Sequence, residues 1–338
     1  MTRPRVAVLD DYEGLALASA DWSVLEGRCE VGVIDRKLAV PDEAARVLAP
    51  YAVLCHLRER TAMPAALIEQ LPQLRFMTVT GRAHRTLDLA AATRCGVLVS
   101  HVSHDQEGSQ ATPELAWGLI LAAARRIVSA DASIRRGAWD TTPGILLEGK
   151  TLGLLGLGRI GQSMARIGQA FGMRVIAWSQ NLTPEQAAVC GAEWVPREAL
   201  FRQSDVLSIH LVLSDRSRRT VDTQELSWMK PEAILVNTSR GPIVNEAALV
   251  EALAQRRIGA AGLDVFEQEP LPAAHPLRGL DNVVLTPHVG YVTRDSLANF
   301  YRATVAGLQA YFQGSPIKLL NPEALASPGR SATSASAG

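Results

Sequence analysis

TLGLLGLGRIGQSMARIGQAFGMRVIAW, residues 151–178, is the stretch whose reading decides the fold. Residues 151–155 form a short apolar run, Gly156-x-Gly158-x-x-Gly161 follows, and Ile160, Met164, Ile167 and Phe171 recur at helical spacing. Gly172 stops that helix, and residues 173–178 restore a buried-strand pattern. The glycines therefore stand at a strand-to-helix turn, where a dinucleotide pyrophosphate meets free backbone N–H groups and a helix N-terminus. Gly156 serves the tight turn, Gly158 the approach of phosphate to backbone, and Gly161 the packing of helix on strand. Arg159 and Ile160, between the glycines, join the cofactor-binding set. An acid that binds the adenosine ribose is expected at the end of the second strand, but the chain there reads Trp178-Ser179-Gln180-Asn181. Ser179 neither repels nor binds a 2′-phosphate as a charged residue would, so NAD and NADP both remain open.

Outward from this stretch, 338 residues with 47% hydrophobic and 20% charged residues are enough for about two domains with substantial cores. The formal charge is zero and the basic residues are dispersed, which argues against a nucleic-acid partner. Arg216, Arg218 and Arg219 are the nearest approach to a basic cluster and read as a solvated loop. Cys29, Cys55, Cys95 and Cys190 are widely spaced without a C-x-x-C pair, the pattern of reduced thiols in a cytoplasmic enzyme. The N-terminus interrupts its apolar run with acids, unlike a signal peptide, and the most apolar helical stretch, residues 113–124, is too short to cross a bilayer.

Short β-rich runs at residues 5–9, 30–34, 52–55, 75–79 and 97–100 alternate with helix-compatible segments at 41–48, 64–71 and 88–94. Such alternation predicts a parallel sheet with covering helices, here without a phosphate-binding glycine signature. Thr112-Pro113-Glu114 predicts the start of a long apolar helix running to about Ala130, with Thr112 as its cap and a place between domains or subunits. A second α/β series follows the glycine stretch, with strands expected at 193–195, 206–211, 233–237, 259–265 and 282–286. One further helix, from about Thr293 to Gln313, is long enough to return to the first domain and leave a cleft between two lobes. Residues 326–338 have almost nothing to bury and read as a disordered tail.

Three expected strand ends carry chemistry. Asn237-Thr238-Ser239-Arg240-Gly241 places an arginine, suited to holding a carboxylate bidentately, at the carboxyl edge of the sheet. GAAGLDVFEQEP brings Asp264 and Glu269 to the same edge, with Glu267 as a competing acid, and Thr286-Pro287-His288 ends the last strand. Beside a dinucleotide site, an arginine, a carboxylate and a histidine are what reduction of a 2-oxo acid needs: a charge to fix the carboxylate and an acid for the developing alkoxide.

GLGRIG, VNTSRGPIVNE, GLDVFEQEPLP and TPHVG, in this order and at these distances, resemble the D-isomer-specific 2-hydroxyacid dehydrogenase family over nearly the whole chain. The resemblance implies two Rossmann-like/flavodoxin-like doubly wound α/β domains, with parallel sheets and a cleft between them. One is a discontinuous substrate domain of residues 1–105 plus 290–325; the other, residues 106–289, binds NAD or NADP and carries a crossing helix and dimer arm between Glu107 and Arg125. It implies a homodimer acting on a small 2-oxo acid such as glyoxylate, hydroxypyruvate or a phosphorylated analogue. It also carries the catalytic roles onto Arg240, Glu269 and His288, with Thr112, His210, Thr238 and Asp264 near the cofactor. A dinucleotide-sensing corepressor, similar to the same family, is the alternative. Gly81 and Arg82 are expected at the substrate, but the local sequence, Thr80-Gly81-Arg82-Ala83-His84-Arg85, replaces the family's second loop glycine with Ala83. Its three basic side chains either favour a second anionic group or face solvent. His101 and His104 have a metal-like spacing without further ligands nearby, and no metal is expected.

Overall fold

A computed structural model of the chain describes residues 3–38, 40–81, 85–102 and 110–326. The chain divides into two compact units, one of Met1–Glu107 with Thr293–Gly338, the other of Gly108–Val292. The expectations for Arg82, Ala83, His84, His104 and the tail beyond Ala326 lie outside the described residues.

In the first unit, β1 (Arg5–Leu9), β2 (Glu30–Ile34), β3 (Val53–His56), β4 (Phe76–Thr80) and β5 (Leu98–Val102) form a parallel sheet in the order β2-β1-β3-β4-β5. Every residue of β3 and β4 is buried, as suits strands covered on both faces, so their apolar runs need no alternation. Asp88 caps the helix Leu89–Arg94 by accepting from the Ala91 amide at 2.8 Å. The late helix Arg294–Phe312, capped by Thr293, packs on β4 and β5, and Tyr311 stacks on Phe76 with ring centroids 4.1 Å apart.

The second unit holds β6 (Thr151–Leu155), β7 (Arg174–Trp178), β8 (Glu193–Trp194), β9 (Val206–Ile209), β10 (Ile234–Asn237), β11 (Ala260–Leu263) and β12 (Val283–Leu285). They form one parallel sheet ordered β12-β11-β10-β9-β6-β7-β8. The fold is thus α/β with two doubly wound parallel sheets, as expected. Among the described residues, no helix is long and apolar enough to cross a membrane.

Two helices depart from expectation. The helix after the glycine turn, Arg159–Ala170, buries Gly161, Met164, Ala165 and Gly168, while Ile160 and Ile167 are half-buried and Phe171 is exposed. Small residues make the closest contacts because the backbone comes so near the strand: a Cβ on Gly168 would stand 2.7 Å from Leu152 Cδ2. The apolar helix runs over Ala111–Ala124 with Gln110 at its cap, so Thr112 lies inside the first turn. It covers β10 and β11 of its own unit. It does not continue to Ala130. Arg126 adopts a left-handed φ of +52° and a separate helix, Ile127–Arg135, begins. The break has a tertiary cause: the Ile145 amide donates to the Ala124 carbonyl at 2.8 Å, and a Cβ on Gly144 would stand 2.6 Å from that oxygen.

Candidate active site

The glycine turn follows β6, which pairs with β7 on one side and β9 on the other. That is the point where the strand order reverses, and open parallel sheets bind ligands there. Gly156 has φ +105° and lies against the His210 backbone, 2.9 Å from where its Cβ would be, so no side chain fits. A Cβ on Gly161 would collide with the Gly156 carbonyl oxygen, which seats the helix against the turn. Gly158, by contrast, has nothing within 4 Å of that position and opens the helix without a side-chain cap. Its open backbone and the uncapped amides of the first helical turn fit an incoming pyrophosphate.

Two further groups test the fit to a dinucleotide. Thr238, only 8% exposed, has a buried Oγ1 without a hydrogen-bond partner, an atom that a nicotinamide or its ribose can satisfy. His210 pairs through Nε2 with Ser208 Oγ at 2.8 Å, and burial pushes its imidazole down to about 3, so it stays neutral. Thr112 and Asp264 are engaged within the protein. Thr112 Oγ1 donates to the Gly290 carbonyl at 3.0 Å. Asp264 is 1% exposed and accepts from Thr286 Oγ1 at 2.6 Å, the Val289 amide at 2.8 Å and the Gly290 amide at 2.9 Å. Burial raises the Asp264 carboxyl and these donors only partly offset it. Asp264 thereby fastens residues 286–290 and holds His288 at a left-handed φ of +57°.

Parallel register aligns Asn237 with Leu263 and Leu263 with Leu285, so the loops after β10, β11 and β12 leave the same edge side by side. Asn237 Oδ1 accepts from the Ser239 amide and its Nδ2 donates to the Arg240 carbonyl, both at 3.0 Å, setting the Arg240 turn. Gly241 sits directly on the backbone of Phe266 and Glu267, a contact only glycine allows, and so brings this turn against the acid loop. Glu269 accepts from the Phe266 amide at 3.0 Å, and its other oxygen lies 2.6 Å from His288 Nδ1. Burial alone would raise the Glu269 carboxyl. The His288 hydrogen bond and charge, the Phe266 amide and the Arg240 charge together bring it below the ordinary carboxylate value. An ionised carboxylate only accepts, so Nδ1 of His288 carries the hydrogen of this pair and Nε2 is the atom left to exchange a proton. Glu267, the competing acid, instead donates its amide to Glu246 Oε2 at 3.1 Å.

Arg240, Glu269 and His288 are therefore brought together within the second unit. Gly81 belongs to the first unit, where its φ is +93° and Arg58 Nη1 stands 2.8 Å from its would-be Cβ. Arg58 was not singled out from sequence; its one signal is an arginine two residues past the end of a buried strand, in L-R-E-R-T. Of the possible metal pair, His101 alone is described, and no group of three metal-ligating residues occurs among the described residues.

A sequence model of the D-isomer specific 2-hydroxyacid dehydrogenase NAD binding domain matches residues 117–290. The chain is 40% identical to the glyoxylate reductase of Aeropyrum pernix over 96% of this chain and 97% of that protein. It is 30% identical to the hydroxypyruvate reductase of Blautia hydrogenotrophica over 94% and 99%. Among solved structures, the phosphoglycerate oxidoreductase of Vibrio cholerae superimposes with a TM-score of 0.86 at 33% identity, covering 93% of this chain and all of that one.

Proposed function

This chain belongs to the D-isomer specific 2-hydroxyacid dehydrogenase family, oxidoreductases acting on the CH–OH group of 2-hydroxy acids, and on that premise we propose that it reduces a small 2-oxo acid. Glyoxylate, hydroxypyruvate and a phosphorylated analogue are the substrates this reading favours. The observation that supports it most is the His288–Glu269 pair at 2.6 Å on the rim that also carries Arg240.

The chain's own residues do the following. The Arg240 guanidinium holds the substrate carboxylate as a charged fork. Ionised Glu269 fixes the imidazole through Nδ1, and Nε2 of His288 delivers the proton to the carbonyl oxygen as it becomes an alkoxide. Asp264 keeps the His288 turn in place. A bound reduced nicotinamide dinucleotide supplies the electron pair. The backbone of Gly156, Gly158, Arg159, Ile160 and Gly161 would hold its pyrophosphate, Ser179 would border its adenosine ribose, and Thr238 and His210 would border its nicotinamide end. In the first unit, the Arg58 guanidinium beside Gly81 would supply positive charge for the substrate anion, while the Gly81 amide itself donates to the Val102 carbonyl at 3.2 Å.

The same reading makes the protein a homodimer. Ile127, Val128, Ile134, Trp139 and Leu146 are all exposed, Trp139 by 84%, and they follow the apolar helix in the chain. Burial pushes the Cys29 thiol up to about 11 and the Cys55 thiol up to about 12, and all four cysteines are free, which suits the reducing cytoplasm.

The test mixes purified protein with NADH or NADPH and a panel of 2-oxo acids and follows nicotinamide absorbance. Turnover is expected, and Arg240→Ala should lower kcat/KM by at least about 100-fold while leaving cofactor affinity nearly unchanged. Silence of the wild type across the panel, with cofactor tightly bound, would replace the enzyme by the dinucleotide sensor.

A further inference from the structure

The glycine turn is flanked by two loops, one leaving β7 and the other leaving β9. The Gly156 amide donates to the Trp178 carbonyl at 2.9 Å, and the His210 amide donates to the Leu155 carbonyl at 2.8 Å, so both loops begin level with the turn. They are tied by one side-chain contact: Arg216 Nε donates to Gln180 Oε1 at 3.1 Å. Gln180 lies two residues past the end of β7, where an acid would bind the ribose hydroxyls of NAD. Instead the chain offers the Ser179 hydroxyl, a neutral amide and a guanidinium brought in from the neighbouring loop.

The turn that presents Arg216 is itself firmly built. Ser217 Oγ is engaged at 2.7 Å with both the Ser214 amide and the Val212 carbonyl, the Thr220 hydroxyl donates to the Ser217 carbonyl at 2.8 Å, and the Arg219 amide donates to the Pro242 carbonyl at 2.9 Å. Three arginines and one carboxylate, Asp215, lie within residues 214–220, so the turn is net positive. The partner chosen for Arg216 matters most. A glutamine oxygen orients the guanidinium through Nε without neutralising it, and both Nη groups keep their donors for a phosphate.

We infer that Arg216, held by Gln180 and joined by Ser179, recognises the 2′-phosphate of NADPH and makes it the preferred cofactor. The inference rests on reading the glycine turn as a dinucleotide seat, but not on turnover. Equilibrium binding tests it, with calorimetry of 2′,5′-ADP against 5′-ADP and fluorescence titration of NADPH against NADH. Wild type should bind the 2′-phosphorylated ligand about tenfold or more tightly, with an advantage that shrinks as salt rises. Arg216→Ala should weaken NADPH by about 10- to 100-fold and leave NADH within about twofold, the retained NADH affinity also reporting an intact fold. Gln180→Glu, which pairs the guanidinium with a charge, should weaken NADPH alone. Equal affinity of wild type for the two cofactors, or equal losses for both in Arg216→Ala, overturns the inference. A protein that selects NADPH yet reduces no oxo acid would refute the proposed function and leave this one standing; turnover with a preference for NADH would do the reverse.

Discussion

At the end of β1 the chain turns through Asp10 at a φ of +62°, and at the end of β6 it turns through Gly156 at +105°. Both strands lie where their sheet's order reverses, β1 between β2 and β3, β6 between β7 and β9. Beyond Gly156 the backbone is open at Gly158 and a helix N-terminus faces the gap. Beyond β1 the same place is filled. Asp10, 1% exposed, accepts from Tyr12 and Thr61 hydroxyls at 2.9 Å, and Asp11 accepts from the Leu15 and Ala16 amides and from Tyr301. Arg60 donates to the Asp10 carbonyl and grips Glu13 through both Nη groups. Carboxylates there consume the donors an anionic ligand would need, and no α-helix begins at the turn. Two parallel sheets of different strand order, each with a reversal point, thus end in a binding rim and a structural rim, and the side chains at the turn mark the difference.

The largest expected effect falls on the binding rim. His288→Asn should lower kcat by about 10²- to 10⁴-fold with cofactor affinity nearly intact, because it removes the proton carrier. Asp10→Asn should leave kcat within about threefold in the same assay. A comparable collapse from Asp10→Asn would erase the distinction between the two rims.

The glycines sharpen it next. Gly156→Ala meets both a positive φ and the His210 backbone, so about 2–4 kcal/mol of stability should be lost in denaturant unfolding, with dinucleotide binding lost too. Gly158→Ala enters open space at an ordinary φ. Its melt should move by less than about 0.5 kcal/mol while dinucleotide affinity drops, since the added methyl stands only in the ligand's way. If both substitutions acted through stability alone, the open gap would not be a phosphate seat.

A smaller effect separates fastening from chemistry. Asp264→Asn keeps the shape but replaces one acceptor with a donor against the amides of residues 289–290, and should cost about 2 kcal/mol by denaturant unfolding. Because His288 rides on that turn, kcat should fall more than the affinity for cofactor. Unchanged stability would mean that the turn is held by something other than Asp264.

The glycine turn, the strand alternation and the three rim loops were legible because each is local: a glycine spacing, an apolar run, a motif following a strand. Strand ends slipped by one or two residues where the last paired residue is polar, as at His56 and Thr80. The contacts that escaped are those between distant segments. Nothing near Arg126 breaks a helix in sequence, since the stop is made by the Ile145 amide returning to Ala124. Arg216 read as a solvated loop because Gln180, its partner, lies 36 positions away on another strand's loop. Asp264 shows the same limit: its motif was visible, but not the three donors that tie it to residues 286–290.

The smallest effect is the one most particular to the structural rim. Burial raises the Asp10 carboxyl above its ordinary value, more than the Thr61 and Tyr12 hydrogen bonds and the charges of Arg60 and Lys37 lower it. A raised carboxyl contributes its stability in the protonated form, fully present below the unfolded value near 3.8 and lost as pH rises through the higher folded value. Asn tolerates the left-handed backbone better than most residues and cannot ionise. Asp10→Asn should therefore flatten the decline in stability across that window and gain up to about 1 kcal/mol at neutral pH, read by denaturant unfolding at several pH values. On the binding rim the sign reverses. Glu269 is held below its ordinary value, so its partnership with His288 stabilises above the unfolded carboxyl value and is lost as pH falls through the lower folded one. Glu269→Gln should accordingly weaken the protein at neutral pH and blunt its acid-side loss. Parallel pH profiles for the two variants would mean that the buried carboxylate of one rim and the paired carboxylate of the other are not opposites after all.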